Sequence, residues 1–76
     1  MPKHQCTIAH YTFRSTDLQD LLTTGVETAE NAEALARKLL GDILKGSNHE
    51  VIRGLQFDAK EDAWTAHVAF FIEADR

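Results

Sequence analysis

Hydrophobic and polar positions change their period along the chain, and each change marks an element. The most apolar run is Trp64–Ile72, WTAHVAFFI. Trp64, Ala66, Val68, Phe70 and Ile72 alternate onto one face, and Thr65, His67, Ala69 and Phe71 onto the other. A strand that is apolar on both faces is usually central and covered on both sides. His4–Arg14 reads as a second strand, rich in β-branched and aromatic residues. Cys6, Ile8, His10 and Thr12 share one of its faces, and Thr7, Ala9, Tyr11 and Phe13 the other. These mixed faces suit an edge strand, and the pattern leaves open which of them meets the core. Met1–Lys3 is expected to be a loose start.

From Thr28 to Lys45 the period becomes helical. Ala32, Leu35, Ala36, Leu39, Leu40, Ile43 and Leu44 form one stripe with steps of three and four. Thr28 is the expected N-cap. Glu30 and Glu33 in the first turns, with Arg37, Lys38 and Lys45 later, complement the helix dipole. Glu33 and Arg37 have the favoured i, i+4 order. Gly41 falls off the stripe and reads as a tolerated surface glycine, and Gly46-Ser47-Asn48 as a C-cap and loop.

His49–Asp58 returns to strand character, with Gly54 a candidate bulge between Val51 and Phe57. Ala59–Ala63 is a polar link of hairpin length. Between Ser15 and Gly25, Thr16-Asp17-Leu18-Gln19 has capping-box form, and Leu18, Leu21 and Leu22 fall at i, i+3 and i+4. That stretch reads as a helix of about two turns ended by Gly25, with an irregular arm as the alternative.

The expected fold is therefore α+β: a two-layer domain over residues 1–76, with a three-stranded antiparallel sheet in the order 1-3-2. One long helix packs on one face, and a short helix or arm precedes it. A domain of this size buries only about 60% of the surface its unfolded chain exposes, so a partner or a second copy would add stability.

Charge narrows the functional classes. The net charge is −4, and the eight basic residues are scattered among twelve acidic ones. Nucleic-acid backbones require a basic face, so direct nucleic-acid binding is not expected. No apolar run reaches the ~20 residues needed to cross a bilayer. No charged segment precedes a short apolar one in the manner of a signal peptide. The single cysteine excludes an intrachain disulfide framework. A cytoplasmic protein is the expectation.

Candidate chemistry is sparse. His4, Cys6, His10 and His67 include metal-ligand types, but Cys6 and His10 would lie roughly 13 Å apart along a strand, too far to share one ion. Nothing local would lower the Cys6 thiol pKa, and no Gly-rich turn suggests an oxyanion hole or a phosphate cradle. No cofactor and no catalysis are expected.

The informative feature is the second sheet face. If the helix covers the Trp64 face, then His67 and Phe71 point away from it. They would be joined by Tyr11 and Phe13, or else by Ile8 and His10, from the first strand, and by Arg53 or Ile52 from the second. Aromatics with histidine and arginine make a protein-binding patch. The expected partner-binding residues are His67, Phe71, Tyr11, Phe13 and Arg53. The competing expectation is that Leu18, Leu21 and Leu22 fold across this face and bury it.

In layout, the chain resembles small phage-encoded inhibitors, including anti-CRISPR proteins. The likeness rests on the strand at Cys6–Phe13, the helix carrying Ala32–Leu44 and the hairpin strands with Val51–Phe57 and Trp64–Ile72. It implies stoichiometric, non-enzymatic binding to a host protein or nucleoprotein complex, such as a defence complex. No functional residue carries over from it. The alternative is a homodimer with paired sheets or edge strands, serving as a structural or ligand-binding unit.

Overall fold

The structure is a computed structural model that describes residues 3–74, with side chains from 6 to 71. Of the expected loose start, Met1–Lys3, Met1 and Pro2 lie outside it, as does the side chain of Ile72, whereas Lys3 is already strand. The order of elements is β1 (Lys3–Arg14), α1 (Ser15–Thr24), α2 (Ala32–Leu44), β2 (His49–Asp58) and β3 (Ala63–Ala74). The sheet order is β1-β3-β2 and both pairings are antiparallel, which puts the most apolar strand in the middle as expected.

The β1–β3 ladder runs without a register shift from Lys3↔Ala74 to Arg14↔Ala63. The β2–β3 ladder is irregular twice, between Val51 and Arg53 and again between Arg53 and Gln56. The second irregularity contains Gly54, where the pattern of apolar positions calls for a bulge. Two bulges on an outer strand twist it away from further pairing.

Two helices of similar length, 10 and 13 residues, lie on one face of this sheet. The single dominant helix expected from the sequence is thus one of a pair. α1 starts one residue before the expected cap, Thr16, and has no side-chain cap; Arg14 occupies that position in extended conformation. The ladder holds the backbone extended as far as Arg14, and the Ser15 amide donates to the Asp62 carbonyl at 2.9 Å. The strand-to-helix corner is thereby tied to the β2–β3 turn. Gly25 ends α1 at φ 77° and donates to the Leu22 carbonyl, the left-handed cap that glycine makes without a Cβ clash.

α2 starts later than the expected Thr28. Asn31 is its cap, and its side-chain oxygen accepts from the Ala34 amide at 2.8 Å. Asparagine is a stronger cap than threonine, which fits this choice. Asn31→Ala should cost about 1 kcal/mol and lower the thermal midpoint by roughly 4–8 °C; an unchanged melting curve would show that the cap contributes nothing. On the same helix, Arg37 Nη2 donates to Glu33 Oε2 at 2.8 Å as the spacing indicates, and Lys38 pairs with Glu27 at 3.1 Å.

The core divides in two. Leu18 of α1 packs with Leu35 and Ala36 of α2, and Phe13, Leu21, Leu22, Leu55 and Trp64 close around them. Leu40 and Leu44 pack on Ala66 and Val68, flanked by Tyr11, Phe13, Leu55 and Phe70. Leu18, Leu35 and Val68 are the large side chains that are fully buried. Ile43, placed on the buried stripe by its spacing, is 48% exposed: Leu40 and Leu44 carry the contact with the sheet, and Ile43 falls on the outer edge of the stripe. The Cα atoms span 50 × 26 × 14 Å, a thin slab of one helical and one sheet layer. No helix among the described residues is long and apolar enough to cross a membrane.

Candidate functional site

Strand parity decides which side chains meet the helices. Tyr11 pairs with Ala66 and Phe13 with Trp64, and all four belong to the helix-covered cores. One residue out of step, Ile8 pairs with Ala69, His10 with His67 and Thr12 with Thr65. These project from the other face. α1 packs on α2 through Leu18, Leu21 and Leu22, so it does not cross that face. Among the described residues, no element covers it.

The expected site residues separate accordingly. His67, Phe71 and Arg53 lie on the uncovered face. Tyr11 and Phe13 do not: a register in which Phe13 opposes Trp64 sends both aromatics under the helices, where they complete the core. Ile8 and His10 take their place. The sequence placed these four residues correctly in two sets but could not choose between them, because choosing requires the pairing register.

At the centre of the face, the His10 and His67 rings stack with centroids 4.1 Å apart and an interplanar angle of 13°. Arg53, from β2, reaches across to the same place. Its Nη2 lies 3.4 Å from His67 Nε2 and 3.5 Å from Thr65 Oγ1. A guanidinium has no acceptor, so it donates, and the neutral His67 ring accepts at Nε2. Both contacts are at the long end of hydrogen bonding. Partial desolvation lowers the His67 pKa below the ordinary 6.5, and the charges of His10 and Arg53 push it in the same direction.

This depression links folding to pH. A histidine whose folded pKa lies below its unfolded value resists protonation in the native state. Its contribution is intact above about pH 6.5 and is lost as pH falls through the interval down to the folded pKa. The thermal midpoint should therefore decline on acidification through this range, and less steeply in His67→Gln. Parallel profiles for the two proteins would contradict the linkage.

Around this centre the face is mixed. Ile8 is 50% exposed, whereas Ala69 is nearly buried between its larger cross-strand neighbours, Ile8 and Glu50. Cys6 is an exposed free thiol opposite Phe71. Arg14 and Gln56 follow the same parity toward the hairpin end. His10 and His67 come together as a stacked pair, and no cluster of three metal-ligating side chains occurs among the described residues. The side chain of His4 lies outside them.

A second concavity lies on the helical side, between α2 and β2. It is an open groove of about 280 Å³ lined by Arg37, Leu40, Gly41, Leu44, Val51, Gly54 and Leu55. Its lining is almost wholly apolar, and its one charged group, Arg37, is engaged with Glu33. A Cβ on Gly41 would meet nothing within 4 Å, so packing does not demand glycine there. Such a lining offers no convergent polar groups for catalysis.

Comparison with protein families, curated proteins and solved structures finds no match to the chain.

Proposed function

We propose that the chain is a non-enzymatic module that binds a protein partner through the sheet face opposite its helices. The observation that carries this reading is that, among the described residues, the central strand has a covering layer on one side only. The bare side presents stacked imidazoles, a guanidinium, Phe71 and Ile8 rather than a uniformly polar surface. Aromatic and arginine side chains are enriched in interface cores. In this reading the chain acts by occupying a surface on its partner, as a resemblance to small phage-encoded inhibitors would imply, and the partner is a host protein or nucleoprotein complex.

The test is affinity capture with tagged protein and two folded variants. His67→Glu changes the sheet face; Ile43→Glu changes the helical side. A partner retained stoichiometrically by wild type and Ile43→Glu but lost by His67→Glu supports the reading. Retention by His67→Glu, or loss only in Ile43→Glu, rejects this face.

The exposed apolar side chains of α2 and β2, Ile43, Val51 and Phe57, favour a second reading, a homodimer joined over the helical-side groove. A dimer predicts a thermal midpoint that rises with protein concentration. A concentration-independent midpoint with a monomeric mass removes it.

A further inference from the structure

Building on the binding face just proposed, we infer that its partner is an acidic protein surface, and that His10, His67 and Arg53 form a carboxylate-binding centre whose occupancy is linked to proton uptake.

Charge is unevenly distributed between the two layers. On an acidic chain, the uncovered face gathers Arg53, His10 and His67 at one spot, with Arg14 further along β1. The acids of the helices and their connection, Asp17, Asp20, Glu27, Glu30, Glu33 and Asp42, belong to the opposite layer of the slab. The charged and titratable groups that share the face can be named strand by strand. β1 brings Cys6, His10 and Arg14; β3 brings His67; β2 brings Glu50, Arg53 and Asp58. Among the described residues, no helix packs on this side. Asp58 is turned into the hairpin, where its Oδ1 accepts from the Lys60 and Glu61 amides at 3.0 and 3.3 Å. Glu50 lies beside Ala69, and among the described residues it makes no ion pair with Arg53. The His4–Glu73 pair is six residues further along the ladder, roughly 20 Å away. The cluster thus holds a permanent cation and two titratable rings, and among the described residues no carboxylate is ion-paired with them, Glu50 being the nearest one on the face.

Arg53 is held only loosely. Its two contacts, to a neutral ring nitrogen and a hydroxyl, are long and therefore cheap to exchange. A carboxylate arriving between Arg53 Nη2 and His67 Nε2 would accept from both, once His67 takes a proton from solvent. Charge-assisted bonds of this type are about twice as strong as neutral ones. The same carboxylate offsets the charges of His10 and Arg53 that help to lower the His67 pKa. Binding and protonation therefore favour each other, with affinity rising by up to about tenfold for each unit the pH falls and each proton taken up.

The same features argue against the other occupants. A second copy meeting this face symmetrically sets each cation cluster against its twin. A nucleic-acid strand needs a basic track, whereas here Glu50 and Asp58 interrupt β2 on either side of Arg53.

The test titrates isotope-labelled full chain with hexaglutamate at about pH 6 and about pH 7.5, following the imidazole and backbone resonances. A single-stranded hexanucleotide serves as the competing polyanion. The expected result is a saturable shift centred on His10, His67 and Thr65. It should be about tenfold weaker at the higher pH, absent in Arg53→Gln and retained in Arg37→Gln. No saturable shift at the lower pH, equal affinity at both, or tighter binding of the hexanucleotide overturns the inference. If hexaglutamate fails while capture remains sensitive to His67→Glu, the acidic-partner inference falls and the binding face stands. If capture shows no dependence on the face, the broader reading falls with it.

Discussion

Leu35→Ala is expected to remove roughly 2–5 kcal/mol of stability. Leu35 is wholly buried where α1, α2 and the sheet meet, in the cluster with Leu18, Ala36, Trp64 and Phe13. Two short helices and one open sheet give the site few ways to collapse around the missing atoms, so a cavity should persist. A domain of this length has a total stability of roughly 4–11 kcal/mol, so the loss takes a large share. The thermal midpoint should fall by roughly 10–30 °C, and part of the population would be unfolded at ordinary working temperatures. Ile43→Ala, further along on the exposed edge of the same helix, should change stability by no more than about 0.5 kcal/mol. Thermal melts followed by circular dichroism separate the two. A fall of less than about 4 °C for Leu35→Ala would mean that the two helices do not close on each other around this residue.

The second large effect is on binding. His67→Glu is expected to weaken capture of the partner at least about a hundredfold, while the fold is preserved. Preservation follows from the surroundings: the side chain belongs to neither buried core, and Arg53, 3.4 Å from the imidazole, would gain a carboxylate in reach. The new carboxylate would occupy the guanidinium internally and repel an acidic partner, so the loss comes from both attraction removed and repulsion added. Comparable melting curves for wild type and His67→Glu, beside a large difference in capture, are the pattern to look for. If His67→Glu loses its fold as well as capture, the milder Arg53→Gln takes its place in the comparison. Full capture by a folded His67→Glu would place the interface elsewhere.

Much of the fold was legible in the sequence, for identifiable reasons. The aromatic and β-branched run at Trp64–Ile72 could be satisfied only at the centre of a small sheet, and the order β1-β3-β2 follows from that. Gly54 signalled an irregular edge before any pairing was known. The α2 stripe located the helical cover, although it did not distinguish the buried Leu40 and Leu44 from the exposed Ile43. Helix starts were less legible: Thr16 and Thr28 have good local cap chemistry, yet strand pairing up to Arg14 and the Asn31 side chain set the actual starts. For α1, the spacing of Leu18, Leu21 and Leu22 gave a helix with an apolar side but not its destination. That side meets α2, which is why the second sheet face remains bare.

The candidate site was half legible. His67 and Phe71 follow from the period of β3, whereas Arg53 rather than Ile52 is set by the register shift in β2. The choice between Tyr11 with Phe13 and Ile8 with His10 depended on a one-residue register, and such a slip exchanges every side chain between faces. Aromatic character put the former pair in the expected interface; packing uses those rings in the core instead. The stacking of His10 on His67 is a cross-strand relation, so neither strand shows it alone.

The most direct test of the central claim is histidine modification with diethylpyrocarbonate, read by mass spectrometry on free protein and on the captured complex. His49 serves as the internal reference, since it packs near Phe70 on the helical side and bonds to Ser47 in the loop before β2. The account predicts that His10 and His67 react in the free chain and are protected in the complex, while His49 reacts alike in both. Protection of His67 in the free monomer, or unchanged reaction of both rings in the complex, would contradict an uncovered sheet face that serves as the partner's docking surface.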